Sequence, residues 1–294
     1  MTGKSSRRAL LALACATMAL LGACSSSEIV DPFTPTRILS VGDGFSDLGQ
    51  DGKRYTVNDG SINIWTQYMA ALYGLPLVAS DQGGLSYARG DALVSSGPNS
   101  IVGQIDKMLA ANKFAAGDLV VLNGGVADIV TTAARTDITY DQKVASLNAA
   151  GLALAEQVNR IVQAGATHVL ATGVWPLGYT PLGTETGQVD NLNNLSLAFN
   201  NAFKIGMVNL GTNVLYLDSA TYYSSVYFNP AAYPPLTNTV NKACTTVLVT
   251  DCTPATITPG FDYNTLLFAN EVYPTPTGHR LLGQYAQNQV RNRW

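Results

Sequence analysis

Short apolar runs and longer segments of helical periodicity alternate along the chain. The apolar runs predict strands over 37–41, 118–123, 167–172 and 213–217. The periodic segments predict helices over 61–73, 141–164, 190–209 and 275–292. One predicted face of the second helix carries Val144, Leu147, Leu152, Ala155, Val158, Ile161 and Val162. Strands separated by helices predict an α/β fold, a central parallel sheet covered by helices on both faces.

The carboxyl ends of two predicted strands carry the candidate chemistry. Residues 42–49 follow the first strand, and residues 123–128 include the end of the second. In open parallel sheets, ligands bind outside the carboxyl ends of the strands. We therefore expect Val41 and Leu122 to lie side by side and the segments after them to form one site.

Composition narrows the class of protein. Apolar residues make up 47% of the 294 positions and charged residues only 13%, whereas a disordered chain combines low hydrophobicity with high net charge. The net charge of −3 and the lack of a Lys/Arg run argue against a nucleic-acid partner.

The N-terminus indicates export and lipid anchoring. Three positive residues, Lys4, Arg7 and Arg8, precede an apolar run over 9–21, a run too short for a typical transmembrane helix. Leu-Gly-Ala then leads to Cys24, and this order resembles a bacterial lipobox, in which the cysteine is acylated and becomes the mature N-terminus. Two or three acyl chains anchor a protein stably. Because Ser25 follows instead of an aspartate, we expect an outer-membrane location.

Cleavage after residue 23 defines the expected domain organisation. The removed signal peptide carries three positive and no negative charges, so the mature charge falls from −3 to −6. Residues 24–35 form the acylated N-terminus and a short linker, and residues 36–294 form one domain. Of the remaining cysteines, Cys244 and Cys252 are expected to form a disulfide in an oxidising compartment. They make a poor zinc site because no histidine lies nearby, and we expect no metal or cofactor.

Four segments carry a family resemblance, in the family's order. They read Gly-Asp-Gly-Phe-Ser-Asp-Leu-Gly at 42–49, Gly-Gly-Leu-Ser-Tyr-Ala-Arg-Gly-Asp-Ala at 83–92, Asn-Gly-Gly-Val-Ala-Asp-Ile at 123–129 and Phe-Ala-Asn-Glu-Val-Tyr-Pro-Thr-Pro-Thr-Gly-His at 268–279. They resemble the blocks G-D-S-L-S-D-x-G, G-G-x-N-Y-A-x-G-G-A, N-G-G-x-N-D-I and F-W-D-x-x-H-P-T-x-x-G-H of the GDSL (SGNH) hydrolases. The resemblance implies a three-layer α/β/α, flavodoxin-like sandwich and ester hydrolysis by a serine nucleophile.

The chain departs from this family at the catalytic positions. Gly44 stands at the position of the nucleophilic serine, Tyr273 at that of the histidine and Asn270 at that of the aspartate. Ala127 replaces the asparagine of the oxyanion hole, while Gly90 matches the glycine that supplies a backbone N–H there. A tyrosine with a pKa of about 10 stays protonated at neutral pH and cannot act as the base. Loss of such a triad lowers turnover by about 10⁶ because its members act as a unit.

Other residues offer weaker alternatives. Ser46 is also serine in the family block and is expected to be structural. The two histidines of the chain, His168 and His279, are expected at a sheet end and in the last helix, both structural. Asp43 and Asp128 are expected to brace loops, although a carboxylate pair about 6–9 Å apart could act as a glycosidase.

Four tyrosines stand close together over 222–233, in a stretch that the pattern leaves irregular: Tyr222, Tyr223, Tyr227 and Tyr233. They are expected to pack internally or, alternatively, to form a sugar- or lipid-binding surface.

The sequence thus predicts a lipid-anchored envelope protein with a GDSL-hydrolase fold and an impaired active site. It is expected to bind an acyl, glycan or protein partner in the cleft or beside it. Two alternatives stay open: an unorthodox ester hydrolase, and an envelope scaffold without a ligand. A hydrolase requires a nucleophile near a base, a binding protein requires an open pocket, and a scaffold requires a filled cleft.

Overall fold

The computed structural model describes residues 32–62 and 64–294. Residues Phe33–Trp294 form one compact unit. The expected signal peptide over 1–23, the acylated Cys24 and linker residues 25–31 lie outside the described residues, so the lipoprotein interpretation stays a prediction.

A four-stranded parallel sheet forms the centre of this unit. Its strands, in the order β1-β2-β3-β4, are Arg37–Val41 (β1), Asp118–Asn123 (β2), Val169–Thr172 (β3) and Val214–Leu217 (β4). Val41 pairs with Leu122, as predicted. Every residue of β2 and β3 is buried, because central strands of a parallel sheet are covered on both faces.

Helices flank the sheet in two groups. They are Trp65–Leu72 (α1), Ile101–Ala111 (α2), Val126–Ala134 (α3), Tyr140–Gln163 (α4), Pro181–Thr186 (α5), Val189–Gly206 (α6), Ser219–Phe228 (α7) and Pro276–Arg293 (α8). One group is built around the α4–α6 pair, with α2 and α3 beside α4, and the other is the α1–α8 pair. The predicted α/β fold with a central parallel sheet is therefore confirmed. A small parallel pair, Asn238–Lys242 (β5) and Leu266–Phe268 (β6), was not predicted.

The buried face of α4 differs from the predicted one at Leu152. That side chain is 49% exposed, whereas Gly151 and Leu154 are buried. A Cβ atom on Gly151 would lie 2.4 Å from the Phe199 carbonyl oxygen, so this glycine marks a close approach of α4 and α6. The buried residues group around Leu147 and Val158, and Leu152, about 100° round the helix from Gly151, lies outside the buried face.

Residues 219–228 form helix α7, so the expectation of an irregular stretch at the tyrosine cluster is wrong. Asp218 caps the helix by accepting a hydrogen bond from the Thr221 N–H. The helix is rich in aromatic and β-branched residues, which lower helix propensity. Packing against α8 compensates for this, because the Tyr223 hydroxyl donates to the Gly278 carbonyl and the Tyr222 ring stacks on Tyr285 at 4.2 Å.

The expected disulfide between Cys244 and Cys252 is present. It closes a loop that lies against the segment after β1, where Asn58 donates to the carbonyls of Thr250 and Cys252 and Lys53 forms an ion pair with Asp251. In the described part of the chain, no helix has the length and apolar character that crossing a membrane requires.

Candidate functional site

Asp43 ties the end of β1 to the end of β2. Its Oδ1 accepts hydrogen bonds from the Asn123 side-chain amide at 2.6 Å and from the Phe45 N–H at 3.1 Å. Its Oδ2 accepts from the Val126 N–H at 3.0 Å. Burial raises the pKa of Asp43, and these hydrogen bonds act in the opposite direction. The completely buried carboxylate therefore braces two loops and is not available to a substrate.

Gln104, which was not expected to belong to the site from the sequence, fixes the backbone of Gly42. The Gln104 side chain of α2 accepts from the Gly42 N–H and donates to the Gly42 carbonyl, both at 2.8 Å. This two-point contact fixes the backbone two residues before Gly44, the position of the family's nucleophile.

The second block runs alongside β1. The Tyr87 N–H donates to the Ser40 carbonyl, and the Arg89 N–H donates to the Gly42 carbonyl. At the end of this segment the Gly90 N–H donates to Asp47 Oδ2 at 2.7 Å. The resemblance assigned this N–H to an oxyanion hole. In this chain a carboxylate already accepts its hydrogen bond.

The last block brings Tyr273 to the same place. Asn270 Oδ1 accepts from the Val272 and Tyr273 N–H groups, at 3.1 and 2.7 Å, so its side chain shapes the loop that carries the tyrosine. Burial raises the pKa of Tyr273 well above its usual value, and the nearby Asp43 carboxylate adds to the effect. The phenol is therefore protonated and provides no base.

Ala127 is the second residue of α3 and is partly buried. It follows Val126, whose N–H binds Asp43, and this contact places the third block beside the first. The structure thus confirms the prediction that these segments come together at the carboxyl ends of β1 and β2 in a parallel α/β sheet.

The position of the family's nucleophile is filled by aromatic side chains. A Cβ atom on Gly44 would lie 2.8 Å from Tyr55 Cδ1 and 2.9 Å from the Tyr273 hydroxyl oxygen. A Cβ atom on Gly90 would lie 1.9 Å from the Tyr55 hydroxyl oxygen. The two tyrosine rings meet edge to face at 4.9 Å. Tyr55 thus covers both glycines, and neither position has room for a side chain.

An unusual backbone conformation accompanies this arrangement. The Tyr55 hydroxyl donates to Asp91 Oδ2 at 3.1 Å. Within residues 32–62 and 64–294, Asp91 is the one non-glycine residue with a positive φ, at 53°. Neither Tyr55 nor Asp91 was expected to belong to the site from the sequence. The family block offered a signal for Asp91, because it has glycine there, whereas Tyr55 lies outside every block.

Asp128 is held by the chain near Val94, whose N–H donates to its Oδ2 at 3.1 Å. Burial raises the pKa of Asp128 to about 6, with the nearby Asp43 carboxylate adding to the effect and the Val94 hydrogen bond opposing it. Because Asp43 is completely buried, these two carboxylates do not face a common substrate site.

Ser46 and His279 are buried behind the site. Ser46 Oγ accepts from the Trp65 indole N–H at 3.0 Å, and His279 Nδ1 accepts from the Trp65 backbone N–H at 3.3 Å. Burial lowers the pKa of His279 to about 3, with a backbone interaction of Tyr55 opposing it. A buried serine that accepts a hydrogen bond and a histidine this weakly basic do not form a nucleophile–base pair.

His168 lies at the opposite end of the sheet, immediately before β3. Its ring stacks on Phe33 at 3.8 Å and meets Trp294 edge to face at 4.9 Å. It therefore joins the two ends of the compact unit and takes no part in the site.

The other tyrosines of the cluster contact neighbouring rings. Tyr227 stacks on Tyr179 at 5.1 Å, and the Tyr233 hydroxyl lies 2.9 Å from Ser225 Oγ. These contacts favour internal packing over a binding surface. Across the described residues, no group of three or more His, Cys, Asp or Glu side chains is placed to hold a metal ion.

Comparisons with known proteins return solved structures only. No family model and no curated protein matches the chain. Among the solved structures is a member of the lipolytic protein G-D-S-L family from Veillonella parvula DSM 2008, with 14% identity and a TM-score of 0.47. Two others are a carbohydrate acetylesterase from Sinorhizobium meliloti (15%, 0.48) and an aryl esterase from M. smegmatis (16%, 0.45). Each match covers 88% of this chain and 99% of the other. At these identities and TM-scores the matches carry no argument about the activity of this chain.

Proposed function

We propose that this chain is a catalytically inactive, ligand-binding protein of the bacterial cell envelope, built on a fold of ester hydrolases. The main support for the proposal is the residue at position 44 and the side chains that surround it. Gly44 offers no hydroxyl, and Tyr55 and Tyr273 occupy the space that a nucleophile and its substrate would need. The Gly90 N–H, the one oxyanion donor retained in the sequence, is bonded to Asp47.

A direct test is ester turnover by the purified mature protein. We expect no hydrolysis of short- or long-chain p-nitrophenyl esters above background and no labelling by a fluorophosphonate, because such probes need an activated nucleophile. Ser46→Ala should leave both measurements unchanged. Turnover that survives Ser46→Ala would contradict the proposal, since it would require another nucleophile, and turnover abolished by Ser46→Ala would identify that serine as the nucleophile.

A ligand-free scaffold is the second candidate, and the filled position 44 favours it. An open cavity beside Gly90 favours ligand binding instead. The two candidates differ in one measurable property, because a scaffold has no small ligand that stabilises the folded state, whereas a binding protein is stabilised by its ligand.

The proposed location rests on the sequence around Cys24. We expect Cys24→Ala to appear in the soluble periplasmic fraction or to retain its signal peptide, because acylation requires the thiol. Ser25→Ala is the matched control and should stay with the membrane. Membrane partitioning of Cys24→Ala equal to that of the wild-type protein, in fractions probed with an antibody, would overturn the lipoprotein proposal.

A further inference from the structure

A cavity of about 400 Å³ lies beside the filled position, with Tyr55 and Gly90 in its wall. The rest of its wall comes from the segment after β1, from residues 89–99 and from Thr250 of the disulfide loop. Gly44 and Tyr273 do not line it. The Tyr55 ring therefore separates a closed catalytic position from an open space of the size in which small ligands bind.

Two carboxylates in the wall are held in fixed positions. Asp47 Oδ1 accepts from the Gly49 and Gln50 N–H groups, at 2.8 and 3.1 Å, and its Oδ2 accepts from Gly90. The Asp91 carboxylate is positioned by the Tyr55 hydroxyl. A carboxylate has about four lone-pair sites, so both can accept further hydrogen bonds. A ligand that donates hydrogen bonds would meet acceptors that need little ordering.

The charges around the cavity disfavour an anionic ligand. Lys53 and Arg89 line it, but each forms an ion pair with a carboxylate outside the wall, Asp251 and Asp81 respectively. Three carboxylates, those of Asp47, Asp51 and Asp91, line the wall against these two cations, although Arg89 also interacts electrostatically with Asp47. A phosphate, a carboxylate or a fatty acid would meet net negative charge there.

The wall also contains uncharged polar groups, one aromatic ring and the apolar side chains of Ala92, Leu93 and Pro98. Ser96 and Asn99 add a hydroxyl and an amide, and the amide both donates and accepts hydrogen bonds. The Tyr55 ring adds a flat apolar surface of the kind on which the C–H face of a sugar ring packs. An acyl chain buried along its whole length would cover the carboxylates, the hydroxyl and the amide of the wall without offering them hydrogen bonds, which is unfavourable.

We propose that this cavity binds a neutral or amino-substituted saccharide, whose hydroxyls bond to Asp47, Asp91 and Asn99 while one sugar face packs on Tyr55. The inference rests on the proposed function in one respect: a saccharide bound there is retained and not hydrolysed, because the closed position 44 lies on the other side of Tyr55. The sequence left an acyl, a glycan or a protein partner open, and the lining of the cavity favours the glycan.

The test is binding of defined soluble sugars to the mature protein. Chitotriose, maltotriose and cellotriose are titrated to about 10 mM, a range that covers millimolar dissociation constants, and binding is followed by protein NMR shifts. We expect at least one of them to bind, and glucose 6-phosphate to bind more weakly than glucose. Absence of binding by all three sugars, or preference for the phosphorylated sugar, would overturn the proposal.

Two variants place the binding in this cavity. Asp91→Gly removes a carboxylate at a positive φ that glycine adopts without strain, and Ser96→Trp fills the cavity from an exposed position. Each should weaken binding by about tenfold or more, whereas Asp137→Ala, which removes an exposed carboxylate between α3 and α4, should not change it. Binding unaffected by both cavity variants, with folding verified by thermal unfolding, would also overturn the proposal.

A second measurement distinguishes failure of the saccharide proposal from failure of the proposed lack of catalysis. Acetate release from acetylated chitotriose is measured in the same samples. Acetate release would contradict the proposed absence of catalysis, whatever binds. Lack of binding together with lack of release would overturn the saccharide proposal alone and leave the scaffold candidate.

Discussion

Fluorophosphonate labelling is expected to appear when five positions are changed together: Gly44→Ser, Ala127→Asn, Asn270→Asp, Tyr273→His and Tyr55→Ala. The first four changes restore the nucleophile, the oxyanion donor, the orienting carboxylate and the base that the family resemblance implies. They are insufficient alone, because a Cβ atom at position 44 would lie 2.8 Å from Tyr55 Cδ1. Removing the Tyr55 ring opens that space.

The four-change variant with Tyr55 intact is the matched control and should stay at background labelling. Gly44→Ser alone lacks a base, and Tyr273→His alone lacks a nucleophile, so each should also stay at background. Equal labelling of the four-change and five-change variants would contradict the role assigned to Tyr55. Ester turnover by the five-change variant should remain low, because Asp47 still accepts the Gly90 N–H and loss of one oxyanion donor costs about 10²–10³ in rate.

Asp43→Ala is expected to lower the free energy of unfolding by about 3–5 kcal/mol, because it leaves buried donors without an acceptor. The donors are the Asn123 amide and the N–H groups of Phe45 and Val126. Urea denaturation measures the loss, with Asp137→Ala as an exposed control that should leave the midpoint unchanged. A loss below about 1 kcal/mol would mean that other groups or water satisfy these donors.

Both experiments concern the arrangement of the loops that follow β1 and β2. Asp43 and Asp47 connect the loops of the first three blocks, so these loops keep their arrangement although Gly44, Ala127, Asn270 and Tyr273 replace the groups that the resemblance implies. The same contacts shape the cavity for which we propose a saccharide ligand. It is built from the segments that these two carboxylates fix, and the disulfide loop contributes its outer wall at Thr250.

The sequence alone determined the sheet and the positions of the blocks. The predicted bounds of β1 and β2 match the structure, because strands buried on both faces are read directly as apolar runs that end at glycine or asparagine. The lack of a nucleophile at position 44 could also be predicted, because glycine has no side chain in any surroundings. Long helices such as α6 and α8 were located within a few residues of their ends, because their periodicity extends over several turns.

Only the tertiary structure decided what occupies the site. Tyr55 lies in a segment without periodicity or motif, and it reaches Gly44 and Gly90 because the chain after β1 folds back over them. From the sequence, the Gly90 N–H was expected to be a free donor of the oxyanion hole. In the structure it donates to Asp47, which is 43 residues away along the chain, and no local sequence pattern encodes such a contact. Helix α7 formed against its low propensity because Tyr222 and Tyr223 pack on α8. Local patterns report burial and backbone preference, whereas the filling of a cleft depends on which distant side chains the fold brings together.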